Sequence, residues 1–122
     1  MQKTILIVDD SPSLRLVLSD LLINAGFLVL EAAVAQQALQ LLDGRKIHLI
    51  ICDLYMPGDD GLSLVQQLRE LPAYKFTPVI MLSTETADDF KDKAYLLGAK
   101  AWVSKPFSPQ QMLNAVAKLI TM

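Results

Sequence analysis

The chain has 122 residues, of which 52% are hydrophobic and 20% charged, with a formal net charge of −2. That is the composition of one folded domain with a real core, and it excludes a disordered tail. There is no block of Lys or Arg to serve nucleic acid or an anionic membrane, and no apolar run approaches the ~20 residues of a membrane span.

Thr4 to Val8 is an apolar, β-branched strand that ends at Asp9-Asp10. The N-terminus offers only one Lys, a short apolar run and two Asp, so it does not read as a signal peptide, and a cytoplasmic location is expected. Ser11-Pro12 starts a helix, with a hydroxyl at the N-cap and Pro at N1. Leu14, Val17, Leu18, Leu21, Leu22 and Ala25 recur along it at helical spacing, and Gly26 closes it. Phe27 to Leu30 reads as a short strand, and Ala35 to Leu42 as a helix closed by Gly44. Leu49 to Cys52 is a continuous apolar run, the pattern of a strand covered on both faces. It stops at Asp53, and Met56-Pro57-Gly58 then predicts a loop. Cys52 is the only cysteine and reads as a small core residue. His48, alone at the strand entry, reads as a surface residue.

Gly61 to Leu71 is a helix with Leu64, Val65, Leu68 and Leu71 on one face, stopped by Pro72. Pro78 to Leu82 is the fourth strand, entered through Pro. Ala87 to Leu97 is a helix with Phe90, Ala94 and Leu97 inward, closed by Gly98; Asp88, Asp89, Lys91, Asp92 and Lys93 form its solvated face. Ala101 to Val103 is the fifth strand. Ser108-Pro109 caps a last helix carrying Met112, Leu113, Val116, Leu119 and Ile120. Strands alternating with helices predict an α/β fold, a doubly wound parallel sheet with helices on both faces. No linker or repeat interrupts the pattern, so residues 1–122 are expected to form a single domain.

In such a sheet the carboxyl ends of all strands share one edge, where α/β proteins bind ligands. The first strand delivers Asp9 and Asp10 there, the third Asp53, the fourth Ser83 and the fifth Lys105. Three carboxylates that close repel one another and call for a cation. Hard oxygen donors on a partly open site suit Mg²⁺. A metal together with Lys105 can neutralise a phosphoryl group carried on one of the aspartates. Taken singly, Asp-Asp is an ordinary solvated turn and Lys an ordinary surface residue; the weight lies in all of them arising at strand ends.

Val8-Asp9-Asp10-Ser11, Asp53-Leu-Tyr-Met-Pro57, Gly61, Ser83-Thr-Glu85 and Lys105-Pro106-Phe107 together resemble the receiver domain of bacterial two-component response regulators. The resemblance covers essentially the whole chain and is greatest to stand-alone chemotaxis regulators of the CheY type. It implies a flavodoxin-like three-layer sandwich with strand order 2-1-3-4-5. It implies that Asp53 takes a phosphoryl group from a phosphohistidine on a sensor histidine kinase, CheA-like in chemotaxis. Asp10 and Asp53 bind Mg²⁺ directly with the backbone carbonyl of Tyr55, while Asp9 holds metal-bound water. Ser83 and Lys105 bind phosphoryl oxygens, Trp102 holds the place of the switch aromatic, and Tyr55 and Glu85 lie where the family tunes dephosphorylation. A cis Lys105–Pro106 bond is also implied.

The chain departs from the family at three points. Val34-Ala35 replaces an acidic or Asn residue followed by Gly before the second helix. The switch aromatic is Trp rather than Tyr or Phe, an indole that either fits less completely or sits inward from the start. Tyr55 is bulky for its position. The resemblance also separates this chain from receivers of transcription factors, which carry an Asp-Asp-Tyr stretch on strand five and Arg on the last helix. Here the stretch is Ala99-Lys-Ala-Trp102, and the last helix has only Lys118. A monomer is expected, with a separate protein bound at the face of the fourth helix, fifth strand and fifth helix. Two other readings compete. An aspartyl-phosphate hydrolase of the haloacid dehalogenase type needs Asp-x-Asp after the first strand, where this chain has adjacent Asp9-Asp10. A flavodoxin-like cofactor binder needs a phosphate-cradling loop, which Asp9 and Asp10 would oppose.

Overall fold

The computed structural model describes residues 2–56, 59–84 and 88–120, with backbone alone at Asp59 and Asp60. Five parallel strands form one sheet: β1 (Thr4–Val8), β2 (Leu28–Ala32), β3 (Leu49–Asp53), β4 (Val79–Ser83) and β5 (Ala101–Ser104), in the order β2-β1-β3-β4-β5. The helices between and after them are α1 (Pro12–Asn24), α2 (Ala35–Leu41), α3 (Gly61–Arg69), α4 (Asp88–Leu96) and α5 (Pro109–Leu119). Pro57, Gly58 and Ala87, expected in a loop and at a helix start, lie outside the described residues.

The two-faced core follows from the strand period of two. Ile5, Ile7, Leu49, Ile51, Ile80, Leu82 and Val103 point to one side, where Leu18 and Leu22 of α1 and Met112 and Val116 of α5 cover them. Leu6, Val8, Ile50, Cys52, Val79 and Met81 point to the other, against Ala38 of α2, Leu64, Val65 and Leu68 of α3 and Ala94 of α4. Every residue of β3 and β4 is buried, as expected of strands covered on both faces.

Several boundaries differ from the sequence reading for local reasons. β2 starts later, because Phe27 N–H donates to the Leu22 carbonyl and completes the end of α1. It then runs on through Glu31 and Ala32, which pair with Ile7 and Val8. α2 begins at Ala35 although its N-cap, Val34, makes no side-chain cap bond. Gln37 reaches back instead, its Oε1 accepting from Ala33 N–H at 2.8 Å. α3 stops at Arg69 because Leu71, before Pro72, is extended (ψ 116°), and a 3₁₀ turn follows over Pro72–Tyr74. Next to the expected loop, Tyr55–Met56 pairs with Asp59–Asp60 as a short antiparallel ladder. His48 is no mere surface residue: it is half-buried, and its Nδ1 accepts from Thr4 N–H at 3.0 Å, tying the entries of β1 and β3 together.

Candidate functional site at the carboxyl edge of the sheet

Asp53 is the last residue of β3 and is 6% exposed. Asp9 follows β1 directly and is buried too. Its backbone N–H donates to the Ala32 carbonyl, and its Oδ1 accepts from Ser11 N–H at 2.8 Å. Asp10, next in the chain, faces solvent. The carboxylates of Asp9, Asp10 and Asp53 offer oxygens that all lie within 4.8 Å of one another. Lys105 enters the cluster from the far end of the sheet. Its Nζ lies 3.1 Å from Asp9 Oδ2 and 3.4 Å from Asp53 Oδ2. Its backbone turns toward β4, with Lys105 N–H donating to the Ser83 carbonyl at 2.8 Å, and the Lys105–Pro106 peptide is cis. Ser83 ends β4, one residue beyond the Leu82 that registers with Asp53, and is buried.

Three carboxylates and one ammonium leave this corner two charges negative. Burial pushes the Asp53 carboxyl above the ordinary carboxylate value and the Asp9 charge adds to this; Lys105 and the Tyr55 backbone N–H pull it back without cancelling the rise. The donor set is hard oxygen on a site open on the Asp10 side, which fits a divalent cation such as Mg²⁺. A cation there would relieve the repulsion that Lys105 alone does not.

Gly61 sets the floor. Its N–H donates to the Leu54 carbonyl at 2.6 Å. A Cβ at this position would overlap the Asp53 carbonyl oxygen and reach Leu54 Cα at 3.1 Å. The start of α3 therefore rests directly on the backbone that carries Asp53.

Trp102 sits on β5 in register with Met81. It is half-buried and packs on the α2–α4 side of the core. Its Nε1–H is buried without a hydrogen-bond partner among the described residues. Lys91 Nζ lies 5.8 Å from its ring centre. The indole is thus half-buried, with its Nε1 edge covered. Tyr55 is exposed and meets Phe90 edge-on, with ring centres 6.1 Å apart. Glu85 lies outside the described residues.

Two arginines were not singled out from the sequence. Arg15 Nη1 donates to the Asp9 carbonyl at 2.6 Å and its Nε lies 3.3 Å from Glu31. The available signal was a cation near the start of α1, where the helix dipole disfavours one. Arg69 spans the opposite end of the molecule. It donates to the carbonyls of Leu97 (2.9 Å), Thr77 (2.8 Å), Gly98 (3.1 Å), Lys75 (3.1 Å) and Tyr74 (3.4 Å).

The sheet thus carries, at its carboxyl edge, an acidic pocket into which a lysine reaches from the last strand. Residues 5–117 match the response regulator receiver domain model, and the chain belongs to that family. It is 37% identical over 119 residues to Protein PetR of Rhodobacter capsulatus, covering 95% of this chain and 49% of that protein. It is likewise 37% identical over 111 residues to the phosphate regulon transcriptional regulatory protein PhoB of Pseudomonas aeruginosa, covering 91% and 48%. The chain thus spans about half the length of these relatives. Among solved structures, chemotaxis protein CheY4 of Vibrio cholerae superposes with a TM-score of 0.94 at 36% identity, covering 98% of this chain and 100% of that one. The match places the chain among the receiver domains of two-component systems. The haloacid-dehalogenase-like reading finds no support. No helix among the described residues is long and apolar enough to cross a membrane.

Proposed function

We propose that residues 1–122 act as one receiver unit, a stoichiometric switch that accepts a phosphoryl group on Asp53 and passes the signal to another protein, in chemotaxis. The observation that carries this reading is the Lys105 ammonium bridging Asp9 and Asp53 at the sheet's carboxyl edge. In the transfer, one Asp53 oxygen bonds phosphorus as the P–N bond of a phosphohistidine breaks. The imidazole leaves with that electron pair. Little else is asked of the protein beyond holding the groups in line and cancelling charge. Asp10, Asp53 and the Tyr55 carbonyl would hold Mg²⁺, with Asp9 placed to hold a water beside it, and the ion would supply positive charge to the phosphoryl oxygens. Lys105 contacts another of those oxygens, and the Ser83 hydroxyl donates to a third. Asp53 must be ionised to attack, and both Lys105 and the cation oppose the raised affinity for a proton that burial gives it.

The donor docks beside the pocket. Leu14, Val17 and Leu21 of α1 and Pro106 and Phe107 line an apolar hollow of about 460 Å³ that borders the acceptor corner through Lys105. Val17 and Leu16 are largely exposed there or beside it, as suits a surface that meets another protein. Output leaves by the other side. Tyr95, Lys100, Trp102 and Lys118 line a groove of about 450 Å³ between α4, β5 and α5. The absence of the Asp-Asp-Tyr stretch and of Arg on α5 supports a monomer with a protein target over a dimer on DNA. Tyr55 and Glu85 tune how long the phosphoryl group stays.

Phosphotransfer from a phosphorylated kinase domain tests the reading: it should require Mg²⁺ and reach one phosphoryl per chain. Transfer undiminished by a chelator, or continued turnover of the donor's phosphate in place of a retained phosphoryl, would contradict it. A pull-down with the phosphorylated chain should recover a motility component; recovery of promoter DNA would move the output to transcription.

A further inference from the structure

At the edge of the sheet opposite the acceptor pocket, where β4 and β5 begin, two large apolar side chains stand almost wholly in water. Phe76 is 87% exposed and Leu96 is 86% exposed. Both line one cleft of about 620 Å³, together with Lys75, Leu97 and Lys100. A neighbouring hollow shares Leu96 and Leu97 and adds Leu62 and Lys93, so the apolar surface continues along α4. Adjacent exposed apolar groups with a polar rim mark an interaction surface rather than ordinary scatter.

The rim is cationic. Lys75 Nζ lies 5.7 Å from the Phe76 ring centre, and Lys93 Nζ lies 5.9 Å from that of Phe90. None of the ion pairs among the described residues uses Lys75, Lys93 or Lys100. Asp92 borders a separate hollow that shares Leu96 with the cleft and adds Tyr95. The Arg69 guanidinium is committed to the carbonyls of both walls, Thr77 on one and Leu97 and Gly98 on the other. It therefore pre-forms the cleft rather than offering its charge to a ligand.

We propose that this cleft docks an acidic amphipathic segment of a partner protein, seating an apolar side chain between Phe76 and Leu96 with carboxylates at Lys75, Lys93 and Lys100. Charge complementarity selects this occupant. A second copy in a two-fold contact would bring the same lysines against one another. Nucleic acid would gain little from three ammonium groups on a chain of net charge −2. Because the cleft lies at the sheet edge away from Asp53 and is held by Arg69, the contact needs no phosphoryl group on Asp53.

The probe is a fluorescein-labelled helical peptide with Leu and Phe on one face and Glu on the others, set beside a counterpart with Lys for Glu and a short oligonucleotide. Anisotropy and amide ¹⁵N shifts read the binding. The acidic peptide should bind and move the amides of 75–77 and 96–100. Phe76→Ser and Leu96→Ser, both at exposed positions, should each weaken it by about tenfold while thermal unfolding stays as in the parent. Lys75→Glu with Lys100→Glu should reverse the preference toward the Lys peptide. Asp53→Asn should bind like the parent, which separates this proposal from the fate of the phospho-switch. Shifts confined to other faces, equal binding of the Lys peptide, or tighter binding of the oligonucleotide would overturn it. So would a concentration-dependent dimer abolished by Phe76→Ser, which would assign the face to a second copy.

Discussion

Replacing Arg69 with Met should cost this chain much of its stability, although Arg69 lies far from the acceptor pocket. Its guanidinium donates to five carbonyls, from Tyr74, Lys75, Thr77, Leu97 and Gly98. The bonds to Thr77, Leu97 and Gly98 are short and partly buried; the one to Lys75 is exposed and the one to Tyr74 long. A hydrogen bond to a charged group contributes about 1.5–3 kcal/mol net. Three such bonds at the low end give about 4–5 kcal/mol. Part is offset because burial already disfavours the cation, pushing the Arg69 pKa down. The expected loss is then about 2–4 kcal/mol, which for a domain of this size lowers Tm by roughly 8–15 °C. Arg69→Lys keeps the charge but not the planar fork, and should fall between. Urea unfolding followed by circular dichroism measures both, with an unchanged m-value expected. A loss under about 0.5 kcal/mol for Arg69→Met, the scale of an ordinary surface substitution, would refute the clamp.

Gly61→Ala forces a methyl group onto the Asp53 carbonyl, so it should destabilise by about 1–3 kcal/mol and also slow phosphoryl uptake; a drop in stability with unchanged uptake would separate the floor from the site. Asp10→Asn should weaken Mg²⁺ binding by roughly tenfold or more while the fold persists or gains stability as repulsion falls, read by a Mg²⁺ titration of Trp102 fluorescence. Burial, with Lys3 and Lys46 nearby, pushes the His48 pKa below its ordinary value of 6.5. The unfolded chain then binds more protons than the folded one below that pH, so stability should be full above 6.5 and fall on acidification; His48→Gln should flatten that part of the profile. Adding Mg²⁺ with a phosphoryl mimic should change Trp102 emission or quencher access, and steady emission would argue against an indole that senses the pocket.

The fold was legible because it rests on patterns that survive without tertiary knowledge. Leu49 to Cys52 has the pattern that suits a strand covered on both faces, and Ser11-Pro12 and Ser108-Pro109 both cap helices as their chemistry predicts, with Leu14 and Gln111 N–H donating to the serine hydroxyls. Alternation gave the parallel sheet; the strand order came from resemblance alone. Asp9, Asp53 and Lys105 were legible because each stands at a strand end, and parallel strands share one edge. Arg69 was not, since its partners at Leu97 and Gly98 lie 28 and 29 residues away and are backbone carbonyls, which carry no sequence signature. The role of His48 was hidden for the same reason: its partner is the N–H of Thr4, 44 residues earlier. The end of β2 was misjudged because its last residues are ordered by pairing with β1 rather than by their own propensity.

The central claim, that Asp53 is the group that takes the phosphoryl, is tested most directly by intact-mass and peptide mapping after exposure to a small-molecule phosphodonor with Mg²⁺. The parent chain should gain one acid-labile phosphoryl group, mapped to Asp53, and Asp53→Asn should gain none while remaining folded. Undiminished labelling of Asp53→Asn, or a label mapped to Asp9, Asp10 or His48, would contradict the account.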